Sequence, residues 1–448
     1  MDFEGYFSAL RGRDILVMGL GVSNRPLVRL LLAHGCRVTA CDKTPREKLD
    51  AEALALEAGG CTLHVGEHYL EGLAADVVFR TPGMHPDTPA LAALRAAGAV
   101  VTSEMDAFFS LCPCRTIAVT GSDGKTTTTT LIGEILKAAG KTVWLGGNIG
   151  TPLLEKVPLM RPENFAVVEL SSFQLLDMTH SPEIAVVTNL APNHLDIHKD
   201  MDEYIRAKKN VFRFQSAAGK LIVNADNAIT APMVGNGKTE RFSRAAEADC
   251  CCLGGKIYLH GDTLMDASEI LLPGTHNIEN YMAAILATSG LASASDVRGV
   301  ARSFGGVEHR IELVRTVRGV RYYNDSIASS PSRTIAGLRA FPEKVILIAG
   351  GYDKHIPYDV LGPEIAAHVK LLVLGGATGA KIREAAETAE NCPPIVECAN
   401  FTEAVYAAAR AARPGDTVLM SPASAAFDQF KNFMERGNYF KQLVWEME

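Results

Sequence analysis

The chain is predicted to be an α/β protein of three domains, each built on a mainly parallel sheet, and three observations lead there. Short β-branched runs end in glycine or serine, as strands do at the ligand-binding edge of an open parallel sheet. Alanine- and leucine-rich helical stretches separate them, so strands and helices alternate along the chain. The 448 residues also suffice for about three domains, each with its own core. The expected divisions are residues 1–105, 106–306 and 307–448.

The first domain opens with the strand Asp14-Ile-Leu-Val-Met and a turn at Gly19-Leu-Gly-Val-Ser. A helix over Arg25 to His34 follows, then a second strand, Arg37-Val-Thr-Ala-Cys, which ends at Asp42. A glycine turn after one strand and an acidic residue after the next make a Rossmann-like start. Asn24 stands where the third fingerprint glycine would fall, which leaves another ligand as open as NAD. Near Asp76-Val-Val-Phe a further strand ends in Arg80-Thr-Pro-Gly-Met, a loop suited to a phosphate or a sugar. The segment Thr102-Ser-Glu-Met-Asp-Ala-Phe-Phe then leads to a linker at Pro113.

The second domain carries the most informative stretch. Ile117 to Thr120 reads as a buried strand, Gly121-Ser122-Asp123-Gly124 as a tight turn, and Lys125 opens a helix to about Ala139. The glycines let backbone N–H groups close on phosphate oxygens, Lys125 reaches the β/γ-phosphates, and the Thr126 hydroxyl ligates Mg²⁺. The spacing is two residues shorter than the usual Walker loop, whose first glycine would fall at Val119. With its flanking strand and helix it still predicts ATP, held by Gly121, Ser122, Asp123, Gly124, Lys125, Thr126 and Thr127.

Further strands are expected at Val143-Trp-Leu, Phe165-Ala-Val-Val-Glu-Leu and Ile184-Ala-Val-Val-Thr-Asn-Leu. Glu169, at the carboxyl end of an apolar strand, suits Mg²⁺; as an ordinary strand-end carboxylate it would face solvent. The next strand leads to His194 and Asp196, which bring a histidine and a carboxylate to the same edge. On the helix Met201 to Phe214, Arg206, Lys208 and Lys209 are cations that spacing alone does not rank. Lys220 to Leu272 reads as a β-rich annex, and a helix beginning near Asn277 returns to the core. The third domain runs from about Val307. There Val345-Ile-Leu-Ile, Leu371-Leu-Val-Leu and Thr417-Val-Leu-Met make an open sheet with ligand groups at its carboxyl edge.

Composition narrows the function. A formal charge of −7 and a pI near 6.0 argue against a nucleic-acid surface, and the 44 basic residues form no long block. Apolar runs such as Val345-Ile-Leu-Ile-Ala fall far short of a membrane span, and Met1-Asp-Phe-Glu-Gly lacks the regions of a signal peptide. The ten cysteines form no Cys-x-x-Cys pair, and Cys112-Pro-Cys114 and Cys250-Cys251-Cys252 lack a zinc spacing. Reduced thiols in a cytoplasmic enzyme are the expectation.

Read in order, Gly121-x-x-Gly-Lys-Thr, Gly146-Gly-Asn-Ile-Gly, Val168-Glu-Leu-Ser-Ser-Phe-Gln-Leu, Asn193-His-Leu-Asp, Ala207-Lys208, His276-Asn, His309-Arg310, Asn324-Asp-Ser and the long segment from Ser421 to Gly437 resemble the bacterial Mur ligases. The resemblance spans all three domains, and Glu-Leu-Ser-Ser-Phe-Gln and Asp-Gln-Phe-Lys-Asn-Phe resemble the branch that adds D-glutamate. It implies a Rossmann-like UDP-binding domain, a central P-loop ATPase domain and a Rossmann-like C-terminal domain for the amino acid. The implied reaction is ATP-dependent amide formation between UDP-N-acetylmuramoyl-L-alanine and D-glutamate, through an acyl phosphate, in peptidoglycan precursor synthesis. A monomer is expected.

By the same resemblance, Lys125 and Thr126 hold the ATP phosphates and a first Mg²⁺, with Glu169 ligating that ion. His194 and a carbamylated Lys208 bind a second Mg²⁺; a carbamate offers anionic oxygens where an ammonium would repel the ion. Asn280 and Arg310 match positions on the adenine and phosphate side of ATP, and Asp325 matches the ribose contact. Ser23, Asn24, Asp42, Thr81, Pro82 and Gly83 line the uridine-diphosphate pocket, and Asn148 contacts the UDP-muramoyl substrate. Lys354 meets D-glutamate, with Phe433 as its aromatic neighbour. Two departures stand out: Ile327 and Ser329 replace a lysine and a threonine often found there, and Ala426 replaces a frequent serine. Carboxylate contacts in the amino-acid pocket are therefore expected to be rearranged, with Arg333, His355 and Ser330 as open alternatives.

Competing readings fare worse. A folylpolyglutamate synthase resembles the ATP core but begins directly with it, without a glycine-rich first domain. A degenerate, non-catalytic nucleotide-binding partner has no need of Lys125, Thr126, Glu169, His194 and Lys208 together. An NAD-dependent oxidoreductase rests on Gly19-Leu-Gly alone.

Overall fold

The computed structural model describes residues 2–21, 23–192, 197–354 and 356–447, so His194, Asp196 and His355 lie outside the described residues. The expected α/β class holds, with three sheets. The first contains β1 (Asp14–Met18), β2 (Arg37–Asp42), β3 (Thr62–Val65), β4 (Val77–Phe79) and β5 (Val100–Thr102). All pair in parallel, in the order β3-β2-β1-β4-β5. Strand order reverses between β1 and β4, so the loops leaving those two strands open a crevice at the carboxyl edge.

The second sheet contains β6 (Arg115–Thr120), β7 (Val143–Gly147), β8 (Phe165–Glu169), β9 (Ile184–Val187), β10 (Lys220–Asn224), β11 (Lys238–Ser243), β12 (Cys250–Leu253), β13 (Lys256–Leu259) and β14 (Asp262–Asp266). Its order is β14-β13-β12-β11-β10-β9-β6-β8-β7, with β6 between β8 and β9. The stretch read as an annex is no separate sheet. β10 pairs in parallel with β9 because Leu221, Ile222 and Val223 are fully buried, and the remaining strands extend the same sheet. Gly254 and Gly255, both at positive φ, then turn the chain into the antiparallel β12–β13 hairpin.

The third sheet contains β15 (Glu312–Val317), β16 (Val320–Asn324), β17 (Val345–Ala349), β18 (Val369–Leu374), β19 (Ile395–Glu397) and β20 (Thr417–Met420), in the order β15-β16-β20-β17-β18-β19. Only β15 runs antiparallel to its neighbour. β17 is buried at every position, as a strand covered on both faces must be.

The chain forms two compact units: Met1–Glu269 with Ile278–Val300, and Ile270–Asn277 with Ala301–Glu448. The first two sheets share the first unit and one continuous core, in which Phe7, Phe108, Leu154 and Leu175 are buried. Burying each such side chain contributes about 1.5–3 kcal/mol. The helix Thr275–Thr288 starts in the second unit and continues into the first. Among the described residues no helix is long and apolar enough to cross a membrane.

Candidate active site

β6 runs straight into the glycine loop, where Gly121 sits at φ +148° and Gly124 at φ +76°. A Cβ on Gly121 would stand 2.0 Å from Thr188 Oγ1, and one on Gly124 2.3 Å from Asn280 Oδ1. A side chain at either position would be strained. The helix Lys125–Ala138 starts at once, with the left-handed Gly124 as its cap, and its first-turn amides are available to an anion. The exit of β9 braces the loop: Thr188 Oγ1 donates to the Asp123 carbonyl at 2.6 Å, and the Asp123 amide donates to Asn189 Oδ1 at 3.0 Å. The Ser122 hydroxyl meets the Ala191 carbonyl and the Tyr204 hydroxyl, both at 2.9 Å. Lys125 folds back over its own loop, donating to the carbonyls of Gly121 at 3.1 Å and Ser122 at 2.8 Å. Thr126 is buried and Thr127 half-buried on the first turn.

Glu169 ends β8 in register with Val119 and is 2 % exposed. Its Oε1 accepts from Asn148 Nδ2 at 2.7 Å, while its Oε2 is buried with no hydrogen-bond partner among the described residues. A buried carboxylate oxygen without a donor is costly unless a cation takes it. Lys208, 2 % exposed on the helix Met201–Arg213, donates to Thr120 Oγ1 at 3.1 Å and lies 5.0 Å over the Tyr204 ring. Burial, and then the charge of Lys125, push its ammonium well below the usual lysine range, against the pull of Glu169 and Asp123. The neutral amine is thereby favoured. Asn280 accepts from Thr128 Oγ1 at 3.2 Å and closes the far side of the loop. Hard oxygens at Glu169 and on the threonine-rich first turn suit Mg²⁺. Lys208 as an ammonium does not suit it; as a carbamate it would.

In the first sheet the residues expected to line a nucleotide pocket shape the β1 turn. Asn24 is buried and donates from Nδ2 to the carbonyls of Met18 at 2.9 Å and Gly19 at 3.0 Å. Asp42 accepts the amides of Leu20 at 2.8 Å and Thr44 at 2.9 Å. Burial alone would raise its carboxyl, but these amides outweigh it and hold it below the usual range. Ser23, Thr81 and Pro82 are half-buried and Gly83 is exposed. Thr81 comes so close to Gly19 that a Cβ there would meet it at 3.0 Å. Arg80, fully buried, organises this edge, a role the sequence reading did not assign it. Its guanidinium donates to the carbonyls of Thr81 at 3.0 Å, Met84 at 2.6 Å and Phe173 at 3.0 Å, and pairs with Asp177. The only local signal was a charge placed directly after the apolar Val77-Val-Phe.

At the carboxyl edge of the third sheet, Asp325 is 4 % exposed and accepts Ser421 Oγ at 2.7 Å and the Ile311 amide at 3.3 Å. Burial pushes its carboxyl up to about 7, opposed by those bonds and by Arg310 and Arg333. Arg310 and Phe433 are half-buried, and Lys354 is exposed. The Phe433 carbonyl accepts Ser326 Oγ at 2.7 Å. Arg333 Nη1 donates to the Ile327 carbonyl at 3.1 Å, which anchors a guanidinium on the backbone of the residue expected to be a lysine. Ser330 meets Ser332 at 3.2 Å, and Ala426 is buried. Arg436 was also missed: it is buried and binds Ser326, Ser424 and Ala425, tying the β16 and β20 exits together.

The chain matches known families along its length. Residues 13–103 match the Mur ligase MurD-like N-terminal domain, 119–288 the Mur ligase middle domain, and 309–424 the Mur ligase glutamate ligase domain. It is 49 % identical to the UDP-N-acetylmuramoylalanine--D-glutamate ligase of Acetivibrio thermocellus, over 98 % of this chain and 97 % of that one. Against the enzyme of the same name from Clostridium kluyveri it is 47 % identical, over 100 % and 99 %. Among solved structures the UDP-N-acetylmuramate-alanine ligase MurC of Thermotoga maritima shares the fold, with a TM-score of 0.58 at 16 % identity over 97 % of this chain and 99 % of that one. The MurF ligase of the same organism, solved with ADP, gives 0.55 at 16 % identity, over 98 % and 97 %.

Proposed function

This chain belongs to the Mur ligase family, and we propose that it joins D-glutamate to UDP-N-acetylmuramoyl-L-alanine with cleavage of ATP to ADP and phosphate. The observation that carries the ATP chemistry is the buried Oε2 of Glu169, without a donor among the described residues, beside a glycine loop whose two glycines hold a left-handed backbone that would strain any side chain. The names of its relatives, at nearly half identity over the whole length, carry the choice of substrates.

A carboxylate is a poor electrophile because its leaving group would be oxide. Transfer of the γ-phosphoryl group to a carboxylate oxygen gives an acyl phosphate; the D-glutamate amine then attacks its carbonyl carbon, phosphate departs and the amide forms. Lys125 and the first-turn amides hold and neutralise the phosphates. Thr126 and Glu169 would hold one Mg²⁺ and His194 with carbamylated Lys208 a second, and the ions would supply further neutralisation of phosphate charge. The carbamate forms when the neutral Lys208 amine adds to CO₂ and loses a proton, and burial favours that amine. Asn280, Arg310 and Asp325 serve ATP. Ser23, Asn24, Asp42, Thr81, Pro82, Gly83 and Asn148 serve the uridine nucleotide, and Lys354 with Phe433 the amino acid. The work divides among residues 1–105, 106–306 and 307–448 of a cytoplasmic monomer. Phosphate release with UDP-N-acetylmuramoyl-L-alanine and a panel of amino acids tests the reading. Release should require D-glutamate, and release at equal rates with any amino acid, or with none, would overturn it.

A further inference from the structure

Beside the helix Met201–Arg213, on the face away from the glycine loop, lies a groove of about 280 Å³ lined by Arg206, Lys209, Phe212, Arg213, Val234 and Asn236. Arg206, Lys209 and Arg213 are exposed and spaced to share one helix face. None of the three pairs with a carboxylate among the described residues. Other surface arginines do: Arg25, Arg46, Arg115 and Arg339 each meet one. Three uncompensated cations along about 10 Å of helix repel one another. They do so in a chain whose formal charge is −7.

Two contacts brace the walls of the groove. The Arg213 guanidinium lies 5.6 Å over the Phe214 ring. Asn236 Nδ2 donates to the Gln215 carbonyl at 3.0 Å and ties the opposite wall to the helix end. Val234, 65 % exposed, adds an apolar rim. Tyr204 and Lys208 project from the buried side of the same helix toward the glycine loop, so the groove is separate from that loop.

We propose that this groove is a second anion site, which takes an elongated small molecule carrying several phosphate groups. A linear oligophosphate fits because its charges are spread over a length like that between Arg206 and Arg213, with Lys209 between them. The guanidinium forks supply the bidentate donors that phosphate oxygens prefer.

Calorimetric titration of inorganic tripolyphosphate into the full-length, nucleotide-free protein tests it, in wild type, in Lys125→Ala and in Arg206→Glu/Arg213→Glu. Binding should survive Lys125→Ala, weaken at high salt, and fall by about a hundred-fold or more in the double reversal. The double variant should keep the wild-type melting temperature; if it does not, Arg206→Gln/Arg213→Gln replaces it, with a smaller loss of about ten-fold expected. Binding lost in Lys125→Ala and kept in the double variant would assign the anion to the glycine loop and overturn the proposal. Absence of tripolyphosphate binding alongside co-sedimentation with phosphatidylserine vesicles would also overturn it, in favour of a membrane surface.

Discussion

Asn148 and Glu169 share one short hydrogen bond: the amide Nδ2 donates to Oε1 at 2.7 Å, and the other carboxylate oxygen receives no hydrogen bond from the described residues. The geometry of the turn makes this possible. Gly147, at φ +98°, lets the Asn148 amide reach the Glu169 carbonyl at 2.8 Å; a Cβ there would stand 2.3 Å from that carbonyl oxygen. Asn148 thus orients the carboxylate that is left open toward a cation. Asn148→Ala should raise the Mg²⁺ concentration needed for half-maximal activity by about ten- to a hundred-fold. A Mg²⁺ titration of phosphate release checks this, and an unchanged midpoint would detach Asn148 from the metal.

Lys125→Ala should lower kcat by on the order of 10²–10³ while the fold survives, because one cation at the transferring phosphoryl group is lost. Turnover and thermal unfolding measured on the same preparation separate the two. Near-normal turnover in a folded variant would sink the assignment of the glycine loop to ATP.

Lys208→Ala should be nearly inactive, and short carboxylates such as acetate or formate should restore part of the activity by replacing carbamate oxygens. High-resolution density at Lys208 in the active enzyme should show the modification. A bare ammonium there in a fully active protein would refute it.

Lys354→Ala should raise KM for D-glutamate by about ten-fold or more, since a charge-assisted hydrogen bond contributes roughly 1.5–3 kcal/mol. KM for ATP should stay within about two-fold. If D-glutamate kinetics do not move, Arg333→Ala is the next variant, because that guanidinium is anchored on the Ile327 carbonyl.

Glu104 gives a pH dependence with a definite sign. It is buried, accepts the Leu154 amide at 3.4 Å, and burial pushes its carboxyl from 4.5 up to about 7. Between those values the folded state keeps a proton that the unfolded state releases, so stability falls as pH rises and levels off above 7. The shift corresponds to about 3 kcal/mol. Glu104→Gln keeps an acceptor for Leu154 and removes the titration. Urea midpoints from pH 5 to pH 8 should be flatter for the variant, which should be the more stable of the two at pH 8. Parallel curves for the two proteins would contradict this.

What the sequence disclosed followed from distance along the chain. The glycine loop is spelled by a strand, a turn and a helix start within a dozen consecutive residues, so its form was legible. Glu169 was legible as a carboxylate ending an apolar strand; its open Oε2 was not, because that depends on Asn148, a residue 21 positions away. Arg80 bonds to residues 93 and 97 positions on, and Arg436 to Ser326, 110 positions back. No local pattern encodes such contacts. The β15–β16 hairpin escaped for another reason: Glu312 to Arg315 are only partly buried, Thr316 is exposed, and Glu312 and Arg315 are charged, so β15 shows no long apolar run. The extra strands beyond β9 read as an annex because nothing in their composition tells a continued sheet from a new one.

The interleaved course of the chain has a consequence for how the protein is made. Ile278–Val300 belong to the first unit, although the segment Ile270–Asn277 that precedes them belongs to the second. Asn280, which closes the glycine loop against Gly124 and Thr128, is among those late residues. During synthesis at about 5–20 residues per second, Lys125 and Glu169 therefore emerge well before the side chain that completes their surroundings. A nascent chain stopped at Glu269 would present the nine-stranded sheet with one covering helix missing. The surroundings of the nucleotide loop are thus completed only late in translation, once Ile278–Val300 have emerged.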